Sequence, residues 1–480
     1  MSADSAPNGI ALKLARTAMA VALALSTGLA SAAAQIIINN INAPGVGFND
    51  PTPAAPVGGN PGTTLGAQRL NAFAYAANVW GATLTSAAPI RINAQFSALA
   101  CTATSATLGS AGAIQIFRDF AGAPKPGTWY SQALADKIFG APLNGTNPDI
   151  SANFNVNLGN VNCLTGTFWY FGFDNNHGAN IDFVTVLLHE MGHGLGFQTF
   201  TSGTSGNFNG GFPSIWDWYL FGTATGQYWK DMTAAQRAAS AISVNGLVWN
   251  GPYVTSLTPS VLGGVPQVQE SAPASVAGNY SAGTAGLGVP LTDAGLTRTV
   301  MPLTGAAGSN QVLGCEALNA ANVLAVAGKI ALIDRGVCGF VVKVKNAQNA
   351  GAAGVIIANN VAGPAPGLGG SDPTIVIPTA SISQADGITI KTALATRSRT
   401  TSALVARIGL NAAAGLSGAD GADRMLMYAP NPFVGGSSVS HFDVTAYPNV
   451  LMEPAINGDL THAVIPPVDL TFPLLQEIGW

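Results

Sequence analysis

Apolar positions along this chain follow two spacings. In "TLGAQRLNAFAYAANVWGATLTS", Leu70, Phe73, Ala74, Ala77 and Trp80 recur at helical intervals, which predicts an amphipathic helix. "PIRINAQF" follows, where Ile90, Ile92, Ala94 and Phe96 alternate as in a half-buried strand. Further short strands are expected at the start of residues 35–62, in "AIQIF" (113–117), and in "ANFNVNL" and "GTFWYFG". Over 182–195 the helical period returns. Asp182 is a candidate N-cap, and Val184, Leu187, Leu188, Met191 and Leu195 supply the apolar face. Gly192 and Gly194 are costly inside a helix, and Gly196 reads as its stop signal.

Residues 201–265 are loop-rich, and the pattern changes from about 268. "KIALIDRG" reads as a strand, and "FVVKVKNAQNAGA" as a helix with Phe340, Val341, Val344, Ala347 and Ala350 on one face. "GVIIANN" reads as a second strand. Strand, helix and strand at this length predict a parallel βαβ unit. "TIVIPTASIS" and "ADGITIKTALA" add another strand and helix. After about 403 the chain turns irregular again, and "DLTFPLLQEIGW" predicts a short final helix through Leu470, Leu474, Leu475 and Ile478. The expectation is an α+β domain of mixed sheet plus helix, 35–267 and 404–480, interrupted by an α/β domain at 268–403.

Composition narrows the class. Hydrophobic residues make up 48% of 480 and charged residues only 9%, with 58 Gly and 29 Pro. That suits a loop-rich protein with a polar, uncharged surface. The net charge of −4, without a basic stripe, gives no case for nucleic acid. Residues 1–34 read as a signal peptide rather than a membrane anchor: Lys13 and Arg16, the apolar "TAMAVALALSTGLA", then the small residues of "ASAAAQ". No other segment is apolar and long enough to span a bilayer. Export, to the medium, cell surface or periplasm, agrees with four cysteines. Two disulfides are expected, 101–163 and 315–338, each within one domain.

The chemistry sits in "DFVTVLLHEMGHGLGFQTF", where His189, Glu190 and His193 have H-E-x-x-H spacing. On a helix, His189 and His193 project together one turn apart and can share a zinc ion through neutral ring nitrogens. Such an ion supplies an acidified water and a Lewis acid, and Glu190 beside it is placed to take and return a proton. A catalytic zinc has three protein ligands. No Glu lies between His193 and Glu270, and Thr199 stands where H-E-x-x-H-x-x-G-x-x-H would place a third histidine. Asp217 in "SIWDWYLFG", His177 and His462 remain open, as does His441 in "GGSSVSHFDVTAYPNVLMEP". Asp420 and Asp423 in "GADGAD" offer carboxylates to a structural Ca2+, although a turn is the simpler reading.

"HEMGHGLGF", then "SHFD" and "LMEP", resembles the leishmanolysin-like metzincins over roughly 140–265 and 410–480. The resemblance implies a secreted zinc endopeptidase with His441 as third ligand, Met452 in a turn beneath the metal, and peptide or protein substrates. The departure is 247 residues between His193 and His441. Within that gap, "DRG-x-C-x-F" and "NAQ-x-AGA", followed by "VIPTASIS", resemble a protease-associated (PA) domain over about 268–403. That resemblance implies a substrate-positioning unit without catalytic groups. Residues 35–100 contain no cysteine, so no thiol latency switch is expected there. The rival function is a binding protein for peptides or glycans that keeps the zinc fold, and the intact Glu190 weighs against it.

Overall fold

A computed structural model describes residues 33–370 and 372–480. The signal-peptide reading falls almost entirely outside them. The first unit opens with strand β1 (Ile36–Asn40), helix α1 (Leu65–Thr83), and strands β2 (Ile90–Ser97), β3 (Gly109–Ala113) and β4 (Ile150–Asn155). The four strands form one sheet in the order β1-β2-β4-β3. Its first three strands run parallel, and β3 runs antiparallel at the edge. Alternation along β2 buries Ile90, Ile92, Ala94 and Phe96 against helices α1 and α2 (Phe183–Leu195). The buried face of α1 is Ala72, Phe73, Ala76, Ala77 and Trp80. Ala74, expected there, is exposed, and Leu70 is half-buried. "AIQIF" is not one strand: β3 ends at Ala113, Ile114 is exposed, and Ile116–Phe117 leaves to pair with Tyr130–Ser131.

The second unit is a seven-stranded sheet. Its strands are β5 (Gly264–Ala272), β6 (Gly278–Ser281), β7 (Leu296–Pro302), β8 (Ile330–Asp334), β9 (Gly354–Ala358), β10 (Thr379–Ile382) and β11 (Val405–Leu416). They lie in the order β6-β5-β11-β7-β8-β9-β10, with β7 to β10 parallel and the other pairs antiparallel. Helix α3 (Phe340–Asn349) crosses between β8 and β9, and α4 (Gln384–Ala393) follows β10. The predicted βαβ unit is therefore present. The sheet extends past the expected 268–403 on both sides. β5 begins at Gly264, and the segment after 403, read as irregular, holds the 12-residue β11. Its distal half, "NAAAG", is largely exposed and built of small residues, so no apolar alternation marks it.

Gly264 pairs directly with Leu416, and the Ser417 N–H donates to Gly263 O at 2.9 Å. The second unit thus enters and leaves through adjacent strands, which lets it sit inside the first at little cost. The first unit then resumes. Its core gathers Met425, Met427, Phe442, Val450 and Met452, with Leu474, Leu475 and Ile478 from the final helix α5 (Thr471–Ile478), onto the same cluster as α1 and β2. Tyr447 is a cross-link between units. Its ring packs in the second unit's core, and its hydroxyl oxygen accepts the Leu291 N–H at 2.7 Å. Disulfides 101–163 and 315–338 both form, each within one unit as expected. No helix among the described residues is long and apolar enough to cross a membrane.

Trp80 joins α1 to α2. It is fully buried, and its indole N–H donates to Leu188 O at 3.1 Å, immediately before His189. Trp80→Ala is expected to cost the first unit about 3–5 kcal/mol in urea unfolding; a loss below about 1 kcal/mol would show that α1 does not hold α2 in place.

Candidate metal centre

Asp182 caps α2 as expected, its carboxylate accepting the Thr185 N–H at 2.9 Å. The three glycines each answer a different contact. A Cβ on Gly192 would lie 2.9 Å from Met452 Sδ, and one on Gly194 would lie 2.5 Å from Ile150 Cγ2. Gly196 ends the helix with φ of +125°, a region that favours glycine. The helix therefore packs closely on β4 on one side and on Met452 on the other.

Three imidazoles converge at one point. His193 Nε2 lies 3.2 Å from His189 Nε2 and 3.1 Å from His441 Nε2, and the latter two are 3.3 Å apart. Each ring is held from behind by a backbone carbonyl: His189 Nδ1 by Leu451 O at 2.7 Å, His193 Nδ1 by Phe197 O at 2.8 Å, and His441 Nδ1 by Ser437 O at 2.8 Å. A carbonyl can only accept, so every Nδ1 carries the proton and every Nε2 presents a lone pair. Burial drives His189 down to about 4 and His193 down to about 3, and pushes His441 well below the ordinary histidine range. The rings are neutral at pH 7.

Three acceptors facing one another with no hydrogen between them need a cation. Tetrahedral zinc with Zn–N of 2.0–2.1 Å would set its ligand nitrogens about 3.3 Å apart, so the observed spacing fits that ion. Among the described residues this is the one cluster of three or more histidine, cysteine or carboxylate side chains arranged to hold a metal.

Glu190 lies beside the cluster in the same cleft. Burial raises its carboxyl to about 8, partly offset by the Ala111 N–H that it accepts. A Cβ on Gly109 would come within 2.9 Å of Glu190 Oε1, so edge strand β3 approaches the carboxyl closely. The cleft encloses about 870 Å³ and is walled by β3, the histidines, Ser437–His441 and Pro454–Ile456.

The other candidates lie elsewhere. Asp217 Oδ1 accepts the Thr199 hydroxyl at 2.8 Å, while its Oδ2 accepts the Thr201 hydroxyl at 2.6 Å and the Ser214 N–H at 2.7 Å. It braces the loop after α2 and is not in the cluster. His177 Nδ1 bonds Asn180 O, and His462 Nε2 bonds Asp182 Oδ1. The calcium expectation is corrected. Asp420 Oδ2 accepts from Arg424 Nη2 at 2.6 Å and Nε at 2.9 Å, while Oδ1 accepts the Ala422 and Arg424 N–H groups. Both oxygens are engaged in a turn.

Sequence reasoning missed the groups that hold the turn at Met452. Asp469 accepts the N–H of Leu451 at 2.7 Å and of Thr471 at 2.7 Å, fixing that turn to the start of α5. Glu453 accepts the Val450 N–H at 2.8 Å. Neither has a local motif; only proximity in the fold reveals them.

Residues 299–390 match the family model described as PA domain. The chain is 51% identical over 69 residues to the "Probable leucine aminopeptidase 2" of Arthroderma benhamiae, which is 14% of each chain. It is 52% identical over 71 residues to an "Aminopeptidase" of Pseudomonas aeruginosa, 14% of this chain and 13% of that one. The chain thus spans about one seventh of the length of the curated relatives it matches. A zinc aminopeptidase structure from Bacillus subtilis is similar at 22% identity, over 33% of this chain and 36% of that one. Its TM-score of 0.22 is too low to speak for a shared overall fold.

The neutral histidines have a consequence for the metal-free protein. Once unfolded, the imidazoles of His189 and His193 take protons below about pH 6.5, which the folded rings do not until pH is near 4 and 3 respectively. The unfolded state binds more protons in that window, so stability falls as pH falls through it. In chelator-treated protein, the drop in urea midpoint from pH 7 to pH 5 is expected to be smaller in His193→Gln than in the parent; an equal drop would contradict the assignment.

Proposed function

We propose that this chain is an exported, zinc-dependent endopeptidase with a metzincin-like first unit, zinc on His189, His193 and His441, and Glu190 as general base. The observation that carries the reading is the convergence of three Nε2 lone pairs beside a buried carboxyl in an open cleft. The chain order supports it as well: two helical histidines around a Glu, a distant third histidine, then a methionine packed under the helix. Two disulfides fit an oxidising destination.

Zinc, when bound, supplies Lewis acidity and brings the pKa of a water to about 7. The chain's own groups do the rest. The three carbonyl-tethered rings fix the ligand geometry. Glu190, with its raised pKa, is suited to take a proton near neutral pH and return it to the leaving amine. The outer edge of β3 pairs with no other strand of its sheet and borders the cleft, so an extended peptide could align along it by main-chain hydrogen bonds. Met452 is fully buried against Gly192 of the helix that carries His189 and His193.

The relatives' names favour a second reading, an aminopeptidase. The cleft argues against it. An aminopeptidase must hold the substrate's α-ammonium next to the scissile bond, and among the described residues Glu190 is the one carboxylate lining this cleft. The short shared segments are also compatible with a PA unit alone being held in common.

Internally quenched peptides with free and with acetylated N-termini separate these readings. Wild type is expected to cut both at internal bonds, and Glu190→Gln to lower kcat by about 10²–10⁴-fold. Stepwise release of single residues from free N-termini alone would replace the endopeptidase reading, and undiminished turnover by Glu190→Gln would remove Glu190 as the base.

A further inference from the structure

A second cavity, of about 510 Å³, lies in the seam between the two units. The first unit contributes the segment from His177 into the first turn of α2 and parts of the chain from Val444 to Leu460. The second contributes two loops, around Thr284–Gly286 and Gly367–Gly369. These loops are tied to each other: the Leu368 N–H donates to Thr284 O at 2.9 Å and the Gly286 N–H to Leu368 O at 3.1 Å. The seam is close, since a Cβ on Gly458 would lie 3.9 Å from Gly286 O. Ile181, Ala455 and Ile456 line both this cavity and the catalytic cleft, so the two adjoin across one apolar wall.

The chemistry of the cavity wall is one-sided. Asp182 is 3% exposed and Thr185 1% exposed, and both line the cavity. Asp182 Oδ1 is engaged by the Thr185 N–H and by His462, but Oδ2 has no partner, nor has the Thr185 hydroxyl. A buried carboxylate oxygen and a buried hydroxyl without partners are costly unless something completes them. Among the described residues no Lys or Arg lines the wall. A metal ion does not suit the site, because its carboxylates do not gather into a three-ligand cluster.

We propose that this seam is a substrate subsite for a basic side chain, Arg or Lys, of the bound peptide, with Asp182 and Thr185 as its receptors and the two loops of the second unit as its far wall. The inference rests on the peptidase reading. Thr185 lies one helical turn, about 6 Å of rise, before His189, and Asp182 about 10 Å before it. A long side chain spans that distance from a backbone at the metal centre, and to reach the seam it would pass between Ile181 and Ala455–Ile456, the residues the two cavities share. The α-ammonium of an aminopeptidase substrate, two bonds from the scissile carbonyl, does not. The PA domain would then select substrates directly, by completing a pocket that the catalytic unit alone leaves open.

The test uses the full-length, zinc-loaded Glu190→Gln variant, so that binding is read without turnover. One Arg is walked through the three residues on each side of a cleavable bond, and every peptide is paired with a citrulline twin of equal shape and no charge. At one position the Arg peptide is expected to bind at least about tenfold tighter than its twin, a difference of about 1.4 kcal/mol. Adding Asp182→Asn, which preserves the helix cap, should abolish that preference, so that Arg and citrulline twins bind alike. Adding Thr185→Val instead should weaken it several-fold. Equal binding of Arg and citrulline twins at every position overturns the subsite, as does a preference that survives both substitutions. If the preference is present but wild type hydrolyses no peptide, the peptidase reading falls and the subsite stands. Hydrolysis without any preference sinks the subsite alone.

Discussion

The structure turns on three hydrogen bonds that face away from the site. Leu451, Phe197 and Ser437 each turn a carbonyl onto the Nδ1 of one histidine, and so aim three lone pairs at a single point. Neutral acceptors 3.1–3.3 Å apart repel, and burial denies them the easy escape of protonation. The fold restrains the three rings from behind, at a spacing that a tetrahedral cation would fit. The close packing of Gly192 on Met452, and the Asp469 carboxylate gripping the turn at Leu451, are where that restraint is built.

The restraint spans the chain. Two of the carbonyls belong to segments that follow the inserted unit, and the third histidine arrives with them. The centre can assemble because Gly264 and Leu416 are paired neighbours, which makes the insert a closed excursion from the first unit's viewpoint. The insert is also not a bystander. Tyr447, six residues after His441, plugs into its core, and its loops face the first turn of the helix that bears His189 and His193. His441, the Leu451 carbonyl behind His189 and part of the seam cavity's wall thus share one short stretch, from His441 to Leu460.

Much of this was legible in the sequence because it is written in local periodicity. The α2 helix, its Asp182 cap, the alternation of β2 and the βαβ core of the insert all follow from neighbours in the chain. His441 was named through a resemblance rather than from spacing, since nothing local distinguishes it from His177 or His462. What escaped the sequence is what depends on distant partners. β11 is half exposed and rich in Ala and Gly, so its pairing with β5 and β7 leaves no apolar signature. Asp469 and Glu453 act on backbone N–H groups, which carry no sequence code. The bend after Ala113 is set by Ile116–Phe117 pairing with a later segment, not by any residue in "AIQIF".

The most direct test of the central claim is zinc content per chain, measured after dialysis against buffered zinc, for wild type beside His441→Ala. The geometry predicts one tightly held zinc in wild type and loss of most of it in the variant, with far-ultraviolet circular dichroism showing both folded. Full zinc retention by a folded His441→Ala protein would mean that the three-histidine centre is not the metal site, and the account built on it would fail.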